Sequence, residues 1–137
     1  MREILFRGKR TDNGKWECGD LLSPNEFNAI PHIVYIDYLN EYGDIGEISA
    51  PILPETVGQF TGLTDKNGKR IFEGDIVTGY FNHEKIVGYV FYGGNAHFFI
   101  QRDGIYGIGL DNSDCWLEVI GNIHDKPELL EGGEGNG

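Results

Sequence analysis

The sequence predicts an all-β protein with very little helix. Residues 1–57 form an N-terminal region rich in β-hairpins, residues 58–125 a C-terminal small β-barrel of SH3 type, and residues 126–137 a short turn with a disordered, glycine-rich acidic tail. The first observation behind this is a repeat. Phe6, Gly8 and Asn13-Gly14-Lys15 return 54 residues later as Phe60, Gly62 and Asn67-Gly68-Lys69, and Gly19-Asp20 returns 55 later as Gly74-Asp75. Asn-Gly offers two adjacent residues that tolerate φ > 0, as a tight two-residue hairpin turn requires, so each copy reads as a hairpin. The second is composition: 21 glycines and 5 prolines punctuate short β-branched and aromatic runs, and 8 Phe, 7 Tyr and 2 Trp supply core area. The third is the close spacing of strand signals in the second half, which suits a small barrel better than a sandwich.

Taken in order, residues 2–11 enter the first turn as a strand and residues 15–22 return from it. Ser23–Ala29, with Pro24, Asn25 and Asn28, reads as loop or a single helical turn. Pro31 opens a strand over His32–Ile36, because its missing N–H confines it to a strand's start or edge. Gly43, Gly46, Pro51 and Pro54 make residues 40–55 loop around one short strand near Ile45–Ser49, and the domain boundary falls near Pro54–Gly58. Beyond the second turn come strands at Arg70–Phe72 and Ile76–Thr78. Lys85–Tyr92 is apolar on both faces, as a covered central strand would be. Gly93-Gly94-Asn95 turns the chain into Ala96–Gln101, followed by a strand over Gly104–Gly109, a polar turn at Asp111–Asp114 and a last strand over Trp116–Ile120.

The net charge is −11. Asp37, Glu41, Asp44 and Glu47 form one acidic cluster, and from Asp103 onward eight acids face Lys126 alone. This balance disfavours adhesion to nucleic acid or anionic membranes. A solvated acidic surface is the simple reading, and imitation of a phosphate array is the sharper one. No apolar run is long enough to span a membrane and no secretory leader is visible, so the expected location is cytoplasmic.

Candidate chemistry is sparse. His32, His83, His97 and His124 lack ligand spacing to one another or to Cys18 and Cys115, so no metal or cofactor site is expected. Asp111, Asn112 and Asp114 lack the glycine and terminal glutamate of a calcium loop and read as an Asx-turn. Cys18 has Glu17 beside it, which raises a thiol pKa rather than lowering it. Asp20 and Asp75 imitate a carboxylate pair, but an aspartate after glycine, ahead of an apolar strand, locks a turn through backbone N–H groups. Tyr80, Phe81, Tyr89, Phe91, Phe98 and Phe99 offer a stacking platform for bases. Lys85 and Arg102 are the only cations between Phe81 and Leu110, so direct nucleic-acid binding is not expected and these rings are assigned to core or to a protein contact.

The string Arg2-Glu3-Ile4, Phe6-Arg7-Gly8-Lys9, Gly14, Trp16 and Gly19-Asp20-Leu21 resembles the YopX family of phage and prophage proteins. The resemblance continues through Pro54–Leu63, Asp65–Gly68, Ile71–Val77, Glu118–His124 and Pro127–Leu130. It implies a β-rich fold with a C-terminal SH3-type barrel and brings no assigned catalytic residue. The expected function is a phage- or prophage-encoded accessory protein in the bacterial cytoplasm. It is read as a non-enzymatic module that binds a host or phage protein, with self-association open. The alternatives are an acidic nucleic-acid mimic that inhibits a host DNA- or RNA-binding protein, and an enzyme with a site around Asp20, Asp75 or His97.

Overall fold

The structure is a computed structural model that describes residues 4–24, 26, 29–39, 41–93, 98–102 and 105–130. It is all-β: apart from a 3₁₀ turn and one turn of α-helix, the elements are strands, and every strand pairing is antiparallel among the described residues. The chain divides into two compact units, Met1–Gln59 and Phe60–Gly137. None of the described helices is long and apolar enough to cross a membrane.

The first unit contains β1 (Phe6–Lys9), β2 (Trp16–Leu22), β3 (His32–Leu39) and β4 (Ile45–Pro51), in the order β4-β3-β2-β1. A two-residue period places Ile33 opposite both Leu21 and Ala50, so one face of the sheet gathers the apolar side chains. Ile33, Ala50 and Ile52 are fully buried there, with Phe6, Tyr35 and Val57 packed around them. Gly8 sits against Ile52 with no room for a Cβ, which is why glycine occupies that point of β1. Pro54 opens the 3₁₀ turn Pro54–Thr56, where its fixed φ is already suitable. Buried Thr56 is satisfied on both sides, its Oγ1 accepting from Lys9 N and donating to Leu53 O. The chain leaves this unit within β5 (Gly58–Thr64), whose Gly58 and Gln59 pair with Arg7 and Phe6.

In the second unit, the remainder of β5 forms a hairpin with β6 (Arg70–Phe72). A ladder follows in the order β10-β9-β8-β7-β11, from β7 (Asp75–Phe81), β8 (Glu84–Tyr92), β9 (Phe98–Arg102), β10 (Ile105–Gly109) and β11 (Glu118–Asn122). Helix α1 (Ser113–Trp116) is inserted between the last two strands. Strand β8 is central, as its two-faced apolar pattern predicts. Ile86 and Val90 enter the core with Val77, Ile100 and Leu117, while Tyr89 and Phe91 cover the other face with Phe99.

Four expectations are corrected. Neither Asn-Gly makes a two-residue turn with two left-handed residues, because only the glycines have positive φ, +73° at Gly14 and +80° at Gly68. Four residues separate Arg10 from Lys15 (Arg10 N to Lys15 O, 2.8 Å), and three separate Asp65 from Lys69 (Asp65 N to Lys69 O, 2.8 Å). The second is the familiar three-residue loop closed by one left-handed glycine. Gly19-Asp20 is not a turn: it lies in mid-β2, with Asp20 exposed opposite Val34, whereas Gly74 does turn the chain at φ +93°. The expected barrel is not closed, since among the described residues β10 pairs only with β9 and β11 only with β7. Where a further partner of β11 would stand, Lys66 N reaches Leu117 O and a carboxylate of Asp65 takes Val119 N, so a side chain does the work of a strand. The polar turn at Asp111 runs on into α1, which delays the last strand to Glu118. The expected Gly93-Gly94-Asn95 turn falls partly, and the tail 131–137 wholly, outside the described residues.

Asp65 is 2 % exposed and accepts three backbone bonds, from Asn67 N and Lys69 N at Oδ1 and from Val119 N at Oδ2, each at 2.9 Å. Burial by itself would push its carboxyl up, but the N–H donors of Val119, Lys69 and Asn67 outweigh that and hold it below the usual range. Buried Asp75 similarly accepts Phe72 N at 2.7 Å, the turn lock expected of it.

Gly68→Val is expected to cost about 1–2 kcal/mol of unfolding free energy in urea titration, since no atom crowds the site and the left-handed φ is the whole penalty. Gly14→Val should cost less; equal stability of Gly68→Val and the parent would refute the turn assignment. Asp65→Asn should cost about 2–3 kcal/mol at pH 7, because an amide cannot accept all three bonds. A carboxyl depressed in the folded state contributes stability above its unfolded value near about 4, and loses it as pH falls through the folded value. The gap between parent and Asp65→Asn should therefore narrow on acidification below about pH 4; a gap that stays constant would refute the role given to this carboxylate.

Candidate functional site

Strand β7 carries Gly79, Tyr80 and Phe81 into a hairpin tip at Asn82-His83, where Phe81 faces Glu84 across the turn. This is the two-residue turn with two left-handed residues, φ +52° and +68°, and neither is glycine. Residues two apart on a strand share a face, so Gly79 and Phe81 point the same way. Trp116 of α1 lies on that face. A Cβ at Gly79 would be 2.5 Å from Trp116 O and 2.8 Å from Trp116 Cε3, and the Phe81 and Trp116 ring centroids are 5.8 Å apart. Glycine at position 79 is thus the seat of the indole.

Several bonds fix Trp116 further. Its Nε1 donates to Asp111 O at 3.0 Å, Ser113 Oγ donates to Thr64 O at 2.8 Å, and Leu117 N donates to Ser113 O at 3.0 Å. With the indole N–H occupied, what Trp116 offers outward is its ring face. Tyr80, Phe81, Asn82, Gly107, Ile108, Gly109, Asp111, Asn112 and Trp116 line an open groove of about 600 Å³, a volume that suits a ligand-sized segment. Tyr80 is 71 % and Phe81 41 % exposed, a large aromatic surface given to solvent.

Backbone strain concentrates beside this groove. Asn82, His83 and Asn112 (φ +57°) are the non-glycine residues with positive φ among the described residues, and both asparagines line it. Such conformations cost free energy that glycine would avoid, and they cluster where side chains are put to use. Neither Asn carboxamide, nor the Asp111 carboxylate, has a side-chain hydrogen bond or ion pair among the described residues.

The structure distributes the other candidates widely. Of the six aromatic residues proposed as a platform, Tyr80 and Phe81 line the groove. Phe98 is buried and stacks edge-on against Tyr92 (5.0 Å), and Tyr89, Phe91 and Phe99 form their own cluster. Asp20 lies in the first unit and Asp75 is buried in the second, while His97 lies outside the described residues. His32 Nδ1 is 2.9 Å from Ile30 O, and His83 is exposed at the hairpin tip. Cys18 and Cys115 are exposed and are not joined in a disulfide. Glu41, Asp44 and Glu47 are exposed, Asp111 and Asp114 likewise, and Asp103, Glu131 and Glu134 lie outside the described residues. Arg10 pairs with Asp12 through two bonds of 2.9 Å, and this bidentate contact holds the Asp12 carboxyl low. Arg7 lies over the Trp16 ring at 4.9 Å. Trp116, Asn82 and Ile108 were not singled out by sequence, and Asn112 was singled out only as part of an Asx-turn. The signal that could have found Trp116 is its polar run Asp111–Asp114, a helix start rather than a bare turn.

The sequence model of the family described as YopX protein matches residues 5–131. Among solved structures, protein EF1440 from Enterococcus faecalis is similar at a TM-score of 0.59 and 26 % identity, over 95 % of this chain and 99 % of that one. No curated protein matches the sequence.

Gly79→Ala, in a Trp16→Phe background that leaves one indole, should shift Trp116 fluorescence and cost about 1–3 kcal/mol through overpacking. Unchanged emission and stability would show that Trp116 does not rest on Gly79.

Proposed function

The chain belongs to the YopX family, and from that premise we propose that it is a phage- or prophage-encoded accessory protein acting in the bacterial cytoplasm as a non-enzymatic protein-binding module. One observation carries the reading: an open groove lined by Phe81, Ile108 and Trp116, with the exposed Tyr80 adjoining Phe81 in the strand, leaves aromatic surface in solvent. Exposed rings cost solvation free energy that a partner chain recovers, and aromatic anchors dominate the energetics of protein contacts. Seating Trp116 on Gly79 and tying its N–H to Asp111 O removes rotamer freedom before a partner arrives, which lowers the entropy lost on binding. The polar members of the groove, the Asn82 and Asn112 carboxamides, the Asp111 carboxylate and the Tyr80 hydroxyl, are of a kind suited to recognition.

Panning a random-peptide display library on the full chain tests this reading. Enriched peptides should bind at least about tenfold more weakly to Tyr80→Ala and Phe81→Ala, with thermal midpoints close to the parent's at the exposed Tyr80. No enrichment, or peptides indifferent to both substitutions, would refute it.

A further inference from the structure

We propose that the free edge of β10 takes an extended strand of a partner protein, one in which apolar residues alternate with lysine or arginine, as a further strand of the β10-β9-β8-β7-β11 ladder. This rests on the reading of the groove as a protein-binding site and names the chemistry of its partner.

Four strands end a sheet among the described residues: β4, β6, β10 and β11. An exposed edge is a template for another chain, and proteins guard it with charge, proline or a covering loop. Strand β4 carries Glu47 and Pro51, β6 carries Arg70, and β11 carries Glu118 and gives Val119 N to Asp65. Strand β10, Ile105-Tyr106-Gly107-Ile108-Gly109, has neither charge nor proline. Its pairing with β9 is irregular between Ile105 and Ile108, then regular at Ile108 opposite Ile100 and Gly109 opposite Phe99. The groove adjoins that regular half. Gly107, Ile108 and Gly109 line it with Phe81 and Trp116, and its described lining includes no residue of β8 or β9. The groove therefore meets β10 on the side away from β9. An extended backbone finds there the outward N–H and C=O groups of an edge strand, and Gly109 puts no side chain in its way.

Alternation sorts the incoming side chains. Through the pairings of Gly79 with Ile86, Val90 with Ile100 and Ile100 with Ile108, Phe81 and Ile108 stand on one face of the ladder, the face on which Trp116 rests. Every second residue of an added strand turns to that face, where Ile108, Phe81 and Trp116 favour an apolar side chain. Charge decides the others. Asp111 lines the groove and no described lysine or arginine does. Asp114 is exposed on α1 and Glu84 is opposite Phe81, whereas Lys85 is opposite Tyr80 and so on the other face. Carboxylates beside the edge favour cations in the incoming strand. They disfavour a second copy, which brings another net charge of −11.

The test titrates the full ¹⁵N-labelled chain with an acetylated, amidated peptide of about seven residues, about 23 Å when extended, alternating valine with lysine and arginine. Two further peptides carry backbone N-methyl groups on the valines alone or on the cationic residues alone. Successive residues of a strand direct their N–H groups to opposite edges, so one methylated set faces β10 and the other faces solvent. A third peptide replaces every cation by glutamate. Amide hydrogen exchange within Gly107–Gly109 should slow at least about tenfold on binding. Affinity should fall at least about tenfold for one methylated peptide and not the other, for the glutamate peptide, and for Gly109→Lys. That position has room for a side chain, since a Cβ there meets only Asp111 Oδ2, at 3.8 Å. Equal loss in both methylated peptides, or loss in neither, overturns the proposal, as does equal binding of the glutamate peptide. Slowed exchange in β10 that grows with the concentration of the chain alone assigns the edge to a second copy and overturns it too. If the basic peptide leaves the β10 amides unmoved while display-selected peptides sensitive to Phe81→Ala bind, the proposal falls and the protein-binding reading stands. If neither binds, both fall.

Discussion

A buried carboxylate holds the second unit together. Asp65 gathers three backbone N–H groups, two from its own hairpin loop and one from Val119, 54 residues further along the chain. Burying a charge is costly unless donors replace the water it leaves, and here they do so well enough to keep the carboxyl ionised. Around it, Lys66 N bonds to Leu117 O and Ser113 Oγ to Thr64 O. The β5–β6 hairpin thereby anchors both ends of helix α1 and the start of β11. The position of Trp116, and with it the groove, follows from a loop in a different part of the sequence.

That loop is one half of a repeat, and the two halves have diverged around their shared glycine. Gly14 and Gly68 adopt the same left-handed conformation. In the first copy Asn13 Oδ1 accepts Lys15 N and the loop is exposed, whereas in the second Asp65 accepts Lys69 N and the carboxylate is buried. Gly19 is pressed against the backbone of Val34 in mid-sheet, while Gly74 turns the chain so that Asp75 can accept Phe72 N. A local signal is preserved in both copies; what it is attached to differs.

The groove sits where three kinds of constraint coincide. Gly79 makes room for an indole, Asp111 O fixes the indole's orientation, and the left-handed backbones of Asn82 and Asn112 bring amides beside it. Each alone is ordinary. Together they form an aromatic surface beside carboxamides that have no side-chain bond among the described residues, an arrangement that favours recognition of another chain.

Strand periodicity, turn residues and the repeat were legible without coordinates because each depends on neighbours a few residues apart. Alternation along β3 and β8, the left-handed Gly68 and the turn lock at Asp75 are local consequences of side-chain type and backbone sterics. The same reasoning misassigned Gly19-Asp20 as a turn, since the pairing of β2 with β3 overrides a dipeptide preference. It expected a closed barrel, since closure depends on which strand ends meet and here a carboxylate substitutes for a strand. It left Trp116 in a strand and Tyr80 and Phe81 among undifferentiated aromatics. Sequence alone determined that this is a hairpin-built β protein of the YopX family with a net charge of −11. Tertiary structure alone decided which rings face solvent, because burial is a property of distant segments brought together, and no window of the chain contains both Gly79 and the indole that rests on it.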